Sequence, residues 1–179
     1  MFEDKRLWMG LNNPELSTSE LHAGVIGIPY DGSVSHKSGA AKAPDILRTI
    51  SIDKKPVTEN LVSLKGLKLK DFGNVEIDND NALFTQTSIK KTVLPIVEAG
   101  VIPVVLGGDH SITSAVVSTF RKKNELGILW IDSHPDLMNT YKGLKGKKES
   151  KWNHACPLRR ICELPFINTR NCLLYTSPS

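Results

Sequence analysis

The sequence predicts an α/β domain built on a parallel sheet. Apolar strands and helical segments alternate along the chain, in the order strand, helix, strand, helix, strand. The strands AGVIGIPY (23–30), VIPVVLGG (101–108) and LGILWID (126–132) are almost uninterruptedly apolar, as strands covered on both faces are. The second and third end in acids and histidines, and in open parallel sheets function collects outside the carboxyl ends of the strands.

The elements follow in order. Residues 1–22 are polar and irregular. Residues 23–30 form a buried strand closed by Pro29, and DGSVSHKSGA (31–40) is a loop rich in glycine and serine. APDILRTI (43–50) starts a helix, with Pro44 near its first turn and Asp45 at the positive end of its dipole. Residues 57–73 alternate in places and hold an extended segment ending at Asp71 to Gly73. The spacing of Leu83, Ile89, Val93, Ile96 and Val97 predicts a helix over 79–100, stopped by Gly100 and kinked or bounded by Pro95. Residues 101–108 read as a fully buried strand. SITSAVVSTFRKK (111–123) reads as a helix with Ser111 or Thr113 near its start and a basic last turn. After the strand 126–132, a loop without periodicity runs to about Asn153. LRRICEL then begins a helix, with Arg159 and Arg160 on a solvated face. RNCLLYTSPS, at the end, follows no pattern connected to the rest. The expected organisation is an irregular segment 1–22, an incomplete domain 23–168 that stops while the fold still alternates, and a tail 169–179 of separate character.

Composition excludes several classes of function. The 179 residues, 40% hydrophobic and 23% charged, suit one globular domain with a real core. The net charge of +4 comes without an aromatic-interleaved basic stripe, so no nucleic-acid footprint is expected. The densest basic stretch is KGLKGKKESK (142–151). Cys156, Cys162 and Cys172 are odd in number, late in the chain and in no CxxC pair. They predict reduced thiols in a cytoplasmic protein rather than a disulfide framework or a cysteine zinc site. MFEDKRLWMG lacks the apolar core of a secretory signal. No apolar run approaches the roughly eighteen residues that span a membrane.

The chemistry gathers at two strand ends. His110 follows the strand 101–108, and Asp132, His134 and Asp136 follow the strand 126–132. If the chain stays extended, alternate side chains point the same way, so the D-x-H-x-D residues converge and His110 joins them from an adjacent strand. Oxygen and nitrogen donors without sulfur suit Mn²⁺, and less specifically Zn²⁺ or Fe²⁺. Such a group is costly to bury without a cation. Asp109 reads as a cap on the helix that follows it. His154 either caps the helix begun by LRRICEL or stands near the metals as a proton shuttle. Gly107 and Gly108 lack a P-loop lysine and GxGxxG spacing, which argues against nucleotide binding. Cys156 as a nucleophile has only nearby His154 to support it.

GGDHS (107–111) together with DSHPD (132–136) closely resembles the paired metal motifs of the ureohydrolases, the arginase and agmatinase family. PYDGSVSHKSGAAKAPDILR (29–48) is similar to that family's early loop and helix, and NHACPLRRI (153–161) looks like the agmatinase branch. The resemblance covers about residues 23–165. It implies a three-layer arginase-like fold with a central parallel sheet, here truncated at its C-terminus. It also implies two Mn²⁺ per complete site and attack by a metal-bridging hydroxide on a guanidinium carbon, giving urea and an amine. By position, His110 and Asp136 would ligate one manganese, His134 the other, and Asp132 both, with His154 shuttling a proton to the departing amine. The family's later D-x-D pair has no counterpart after His154, so weak metal binding is expected of this chain. The substrate expected from NHACPLRRI is agmatine, giving putrescine. Arginine or another guanidino acid is the alternative, since Lys142, Lys145, Lys147, Lys148 and Lys151 would attract a carboxylate. Formimidoylglutamate hydrolysis is disfavoured by the intact acid in GGDHS. A metal-deficient homologue or partner subunit is the expectation from another class. A homo-oligomer is expected at full length, with neither nucleic acid nor membrane as partner.

Overall fold

The computed structural model describes residues 3–121, 126–143 and 148–176. In chain order its elements are α1 (Leu7–Gly10), β1 (Ala23–Ile28), α2 (Ala43–Ser51), β2 (Leu69–Asn74), α3 (Ala82–Glu98) and β3 (Ile102–Gly107). They continue with α4 (Thr113–Val117), β4 (Leu126–Ile131), β5 (Tyr141–Lys142), β6 (Glu149–Ser150), α5 (Pro157–Cys162) and β7 (Ile167–Tyr175). The α/β reading holds.

β1 is buried along its whole length and forms the middle of a parallel sheet ordered β2-β1-β3. It pairs with β3 from Ala23–Ile102 to Ile28–Gly107, so both strands end level with each other. Ile26 and Ile28 point into a core completed by Ile89, Val93 and Ile96 of α3 and by Ala115 of α4. α2 begins with Pro44 and Asp45 in its first turn, as expected. Gly27 is needed beneath it, because a Cβ there would lie 2.9 Å from the Cβ of Pro44 and 2.0 Å from Asn74 Oδ1.

α3 follows its sequence reading with two exceptions. Leu83 is 63% exposed, and the buried places before Ile89 belong to Thr85 and Gln86. Both are satisfied there: Thr85 Oγ1 donates to the carbonyl of Asp78, and Gln86 Nε2 to that of Ser111. Pro95 does not end the helix, which runs on to Glu98. Gly100 then takes the left-handed conformation (φ 78°) that glycine adopts without steric cost. The segment expected as one helix over 111–123 is broken instead. A 3-10 turn (His110–Ile112), α4 and a second 3-10 turn (Ser118–Phe120) follow one another. Lys122 and Lys123, the rest of its basic last turn, lie outside the described residues.

Two expectations about the sheet are corrected. β3 is not fully buried, because Ile102 is 66% and Val104 41% exposed. β3 and β4 are also not adjacent. β4 pairs in parallel with β7 in a separate two-stranded sheet, where Leu129 and Ile131 are exposed. Each of β3 and β4 has a pairing partner on one edge only among the described residues, and nothing described there covers the alternate apolar side chains. Residues 167–175, most of which the sequence left without a pattern, form β7. The loop after β4 closes into the short antiparallel pair β5–β6.

The N-terminal segment carries little regular structure yet packs onto β2. Leu7 and Leu11 are buried, and Asn12 bridges to Leu69. Trp8 Nε1 donates to Asp71 Oδ2 at 2.8 Å. Arg48 of α2, 2% exposed, grips the same carboxylate through Nε (2.8 Å) and Nη2 (2.9 Å).

Candidate metal centre

Although β3 and β4 are not paired, their tips meet. Nδ1 of His110 lies 2.8 Å from Oδ2 of Asp132 and 2.9 Å from Oδ2 of Asp136. Backbone interactions bring His110 there. Gly108 and Asp109 donate their N–H groups to the carbonyls of Ile28 and Tyr30, so the end of β3 is tied along the end of β1. Gly108 has no room for a side chain: a Cβ would sit 1.9 Å from the carbonyl oxygen of Tyr30. This close approach accounts for the second glycine of GGDHS without a phosphate. Asp109 caps the turn that follows, as expected, with Oδ1 accepting from Ser111 N–H at 3.0 Å. Its Oδ2 accepts from Ser33 N–H at 2.9 Å, which holds the loop after β1 against the site.

The D-x-H-x-D stretch is not extended. β4 ends at Ile131, and Asp132 Oδ1 accepts from the N–H of His134 at 2.9 Å, the side chain folding the chain into a turn. Asp136 then adopts a left-handed backbone (φ 47°). The turn brings Asp132 and Asp136 to His110, while the His134 side chain is 80% exposed. His134 lies beyond Asp132 from His110, with its Nδ1 3.7 Å from Asp132 Oδ1. Asp132 thus turns one oxygen toward His110 and the other toward His134.

The donors fit a hard or borderline cation. One imidazole nitrogen and two carboxylate oxygens, from His110, Asp132 and Asp136, lie within 4.8 Å of one another. Burial opposes a charge on His110. Hydrogen bonding to Asp136, the charges of Asp136 and Asp132, and hydrogen bonding to Asp132 outweigh it, so the imidazole titrates above its ordinary value.

His154 does not cap α5, whose N-cap is Cys156. Its Nδ1 lies 2.6 Å from the carbonyl of Ser33, and its backbone N–H donates to Ser33 Oγ at 3.0 Å. Tyr141 meets its ring edge-on at 5.6 Å. His154 lines one open cavity of about 400 Å³ with His110, Asp132, His134, Asp136 and the loop residues His36 and Lys37. All five residues singled out in the sequence therefore face one space. Cys156 is fully buried and burial pushes its thiol up, which suits packing rather than nucleophilic attack. Ser33, Trp130 and Arg160 were not singled out as site residues. Trp130 stacks on His110 and donates from Nε1 to the carbonyl of His134 at 3.1 Å. A tryptophan just before the acids, in an otherwise aliphatic strand, was the signal available for it.

Strands that end in an imidazole and two carboxylates beside a second histidine define a candidate site for a divalent cation on an α/β fold. The comparisons narrow the class. The sequence profile of the Arginase family matches residues 21–176, and the chain belongs to that family. It is 28% identical over 155 residues to the agmatinase of Bacillus anthracis, covering 86% of this chain and 51% of that protein. It is 32% identical over 159 residues to the human mitochondrial guanidino acid hydrolase, covering 87% of this chain and 44% of that protein. The fold is that of a Trypanosoma cruzi formiminoglutamase crystallised with Mn²⁺, at a TM-score of 0.77 and 20% identity, over 93% of this chain and 55% of the other. The chain spans about half the length of the curated relatives it matches. No helix among the described residues is long and apolar enough to cross a membrane.

Proposed function

We propose that the protein hydrolyses a guanidino compound to urea and an amine, with Mn²⁺ as cofactor. The observation that carries this reading is the contact of His110 with Asp132 and Asp136 in a cavity that His154 also lines. His110, Asp132 and Asp136 would hold such an ion, and His134 beside Asp132 would contribute to a second. When bound, such a pair lowers the pKa of water far enough to give a nucleophile at neutral pH, which a resonance-stabilised guanidinium requires.

The protein's own groups supply the rest. Nδ1 of His154 faces a carbonyl oxygen, which only an N–H can satisfy, so Nδ1 carries the proton. Nε2 is left with a lone pair, free to take a proton and pass it to the departing nitrogen. The Ser33 contacts hold the ring in that tautomer and orientation.

For the substrate, we infer a guanidino compound with a carboxylate at its far end rather than agmatine. The stretch that suggested agmatine packs inward: Cys156, Leu158 and Ile161 are core residues and Arg160 is buried. The cavity mouth instead carries Lys37, which opposes agmatine's second cation and attracts a carboxylate. The expected lysine rim is not borne out among the described residues, because Lys142, Lys148 and Lys151 do not line this cavity and Lys148 lines a separate one; Lys145 and Lys147 lie outside the described residues.

The test is urea release by the protein as its gene encodes it, from 4-guanidinobutyrate, arginine and agmatine. A higher kcat/KM for either acid supports the reading. A preference for agmatine of tenfold or more, an arbitrary threshold of about 1.4 kcal/mol, refutes the carboxylate assignment. No urea from any of the three refutes the hydrolase.

A further inference from the structure

Asp136 brings its carboxylate to His110 from a left-handed backbone, at a φ of 47°. Such a conformation is unfavourable for a non-glycine residue and persists only where its surroundings enforce it. α5 and the residues before it hold the turn at three successive points. The N–H of Arg159 donates to the carbonyl of Asp136 at 3.3 Å. The N–H of Met138 donates to the carbonyl of Ala155 at 3.1 Å. The guanidinium of Arg160 donates to both the backbone carbonyl and Oδ1 of Asn139, at 3.2 Å each.

Of these three, Arg160 is the tie made by a side chain. Its sequence reading as part of a solvated face is overturned, because it is 8% exposed. Its second terminal nitrogen also donates to Glu163 Oε1 at 2.7 Å, which orients the fork from behind. Its Nε has no partner among the described residues. A buried guanidinium with one donor unsatisfied is a costly way to fill space, and a leucine would pack there more cheaply. What the fork does that an aliphatic side chain cannot is clamp the two oxygens of Asn139, three residues after Asp136.

We propose that Arg160 is a positioning residue for the metal site: it holds the 136–139 turn so that the strained Asp136 presents its carboxylate beside His110. The inference rests on the reading of Asp136 as a metal ligand. It gives a buried arginine a role that packing alone does not explain, since α5 is already anchored by Leu158 and Ile161.

The test is titration of the full-length protein with Mn²⁺ alone, following free Mn²⁺ by electron paramagnetic resonance. Arg160→Met keeps the stem and removes the fork. It is expected to weaken Mn²⁺ binding on the order of ten- to a hundredfold, the range found for groups that orient metal ligands. Arg160→Lys, which retains one donor, is expected to recover part of that loss. Glu163→Gln is expected to bind Mn²⁺ within about threefold of the wild type, because its amide oxygen still receives the guanidinium. Asn139→Ala removes the Oδ1 contact at an exposed position and is expected to weaken binding even if Arg160→Met does not fold. Wild-type affinity in Asn139→Ala, or in a folded Arg160→Met, overturns the proposal. Equal losses in Arg160→Met and Arg160→Lys also overturn it, because burial rather than the fork would then be responsible. Absence of Mn²⁺ binding by the wild type overturns the metal-site reading itself, and this inference with it.

Discussion

The imidazole of His110 stacks on the indole of Trp130, with ring centroids 4.5 Å apart and planes 16° from parallel. Trp130 also donates from Nε1 to the carbonyl of His134. One side chain of β4 thus orients the candidate ligand that follows β3 and anchors the turn that carries Asp132 and Asp136, although β3 and β4 share no backbone hydrogen bonds. Trp130→Phe should keep most of the stack and lose the indole bond, at about 1 kcal/mol. Trp130→Ala should cost about 3–5 kcal/mol, because the ring is also part of the core with Leu158 and Ile161. Urea denaturation of both variants measures this, and equal losses would show that the ring does not pack as described.

The metal-free site should make stability depend on pH. His110 titrates above its unfolded value of 6.5, so its proton binds the folded chain more tightly than the unfolded one. The resulting stabilisation is fully present below pH 6.5 and is lost as pH rises through the higher folded value. Mn²⁺ must displace that proton, so apparent metal affinity should rise over the same interval. Thermal melts of the metal-free protein from pH 5.5 to 8.5, a range chosen to bracket the titration, test the first claim. His110→Gln should flatten this part of the profile, and an unchanged slope would remove His110 as its source.

The second glycine of GGDHS should be irreplaceable on steric grounds alone. Gly108→Ala would place Cβ against the carbonyl of Tyr30, where both atoms belong to the backbone. A cost of at least about 3 kcal/mol is expected, at the top of the range for overpacking. Gly107→Ala meets instead the flexible end of Ile112 and should cost less. Denaturant midpoints that place the two variants the other way round would contradict this account of the motif.

Much of the fold was legible because its signals are local. Uninterrupted apolar runs located β1, β3 and β4, and Pro44, Asp45 and Gly100 marked helix ends through their own backbone constraints. The bare faces of β3 and β4 were not legible, because Ile102 and Leu129 are as apolar as residues that something covers. The site was legible as a set of residue types but not as a shape. Alternation predicted that Asp132, His134 and Asp136 would share a face. The side-chain turn at Asp132 instead leaves His134 on the exposed rim of the cavity, apart from the close contact of His110 with Asp132 and Asp136. Nor did helical spacing show that Arg160 would be buried, since its partner Asn139 lies far away in sequence.

The N-terminal segment should be integral to stability. Arg48→Met would leave the fully buried Asp71 carboxylate with Trp8 but without its cation, at about 3–5 kcal/mol. Trp8→Phe removes one donor to the same carboxylate and should cost about 1–3 kcal/mol. Removal of residues 1–12 should destabilise at least as much as Trp8→Phe. A truncated chain with wild-type stability would mean that the segment only decorates the sheet.

The most direct test of the account is Mn²⁺ binding to this chain by its own candidate ligands. Free Mn²⁺ would be followed by electron paramagnetic resonance at pH 8 for the wild type and for His110→Ala, Asp132→Asn and Asp136→Asn, with His22→Ala as a control remote from the site. The expected result is uptake by the wild type and the control that each of the three site substitutions removes. Uptake equal in all five proteins would contradict a metal centre at the meeting of the β3 and β4 tips.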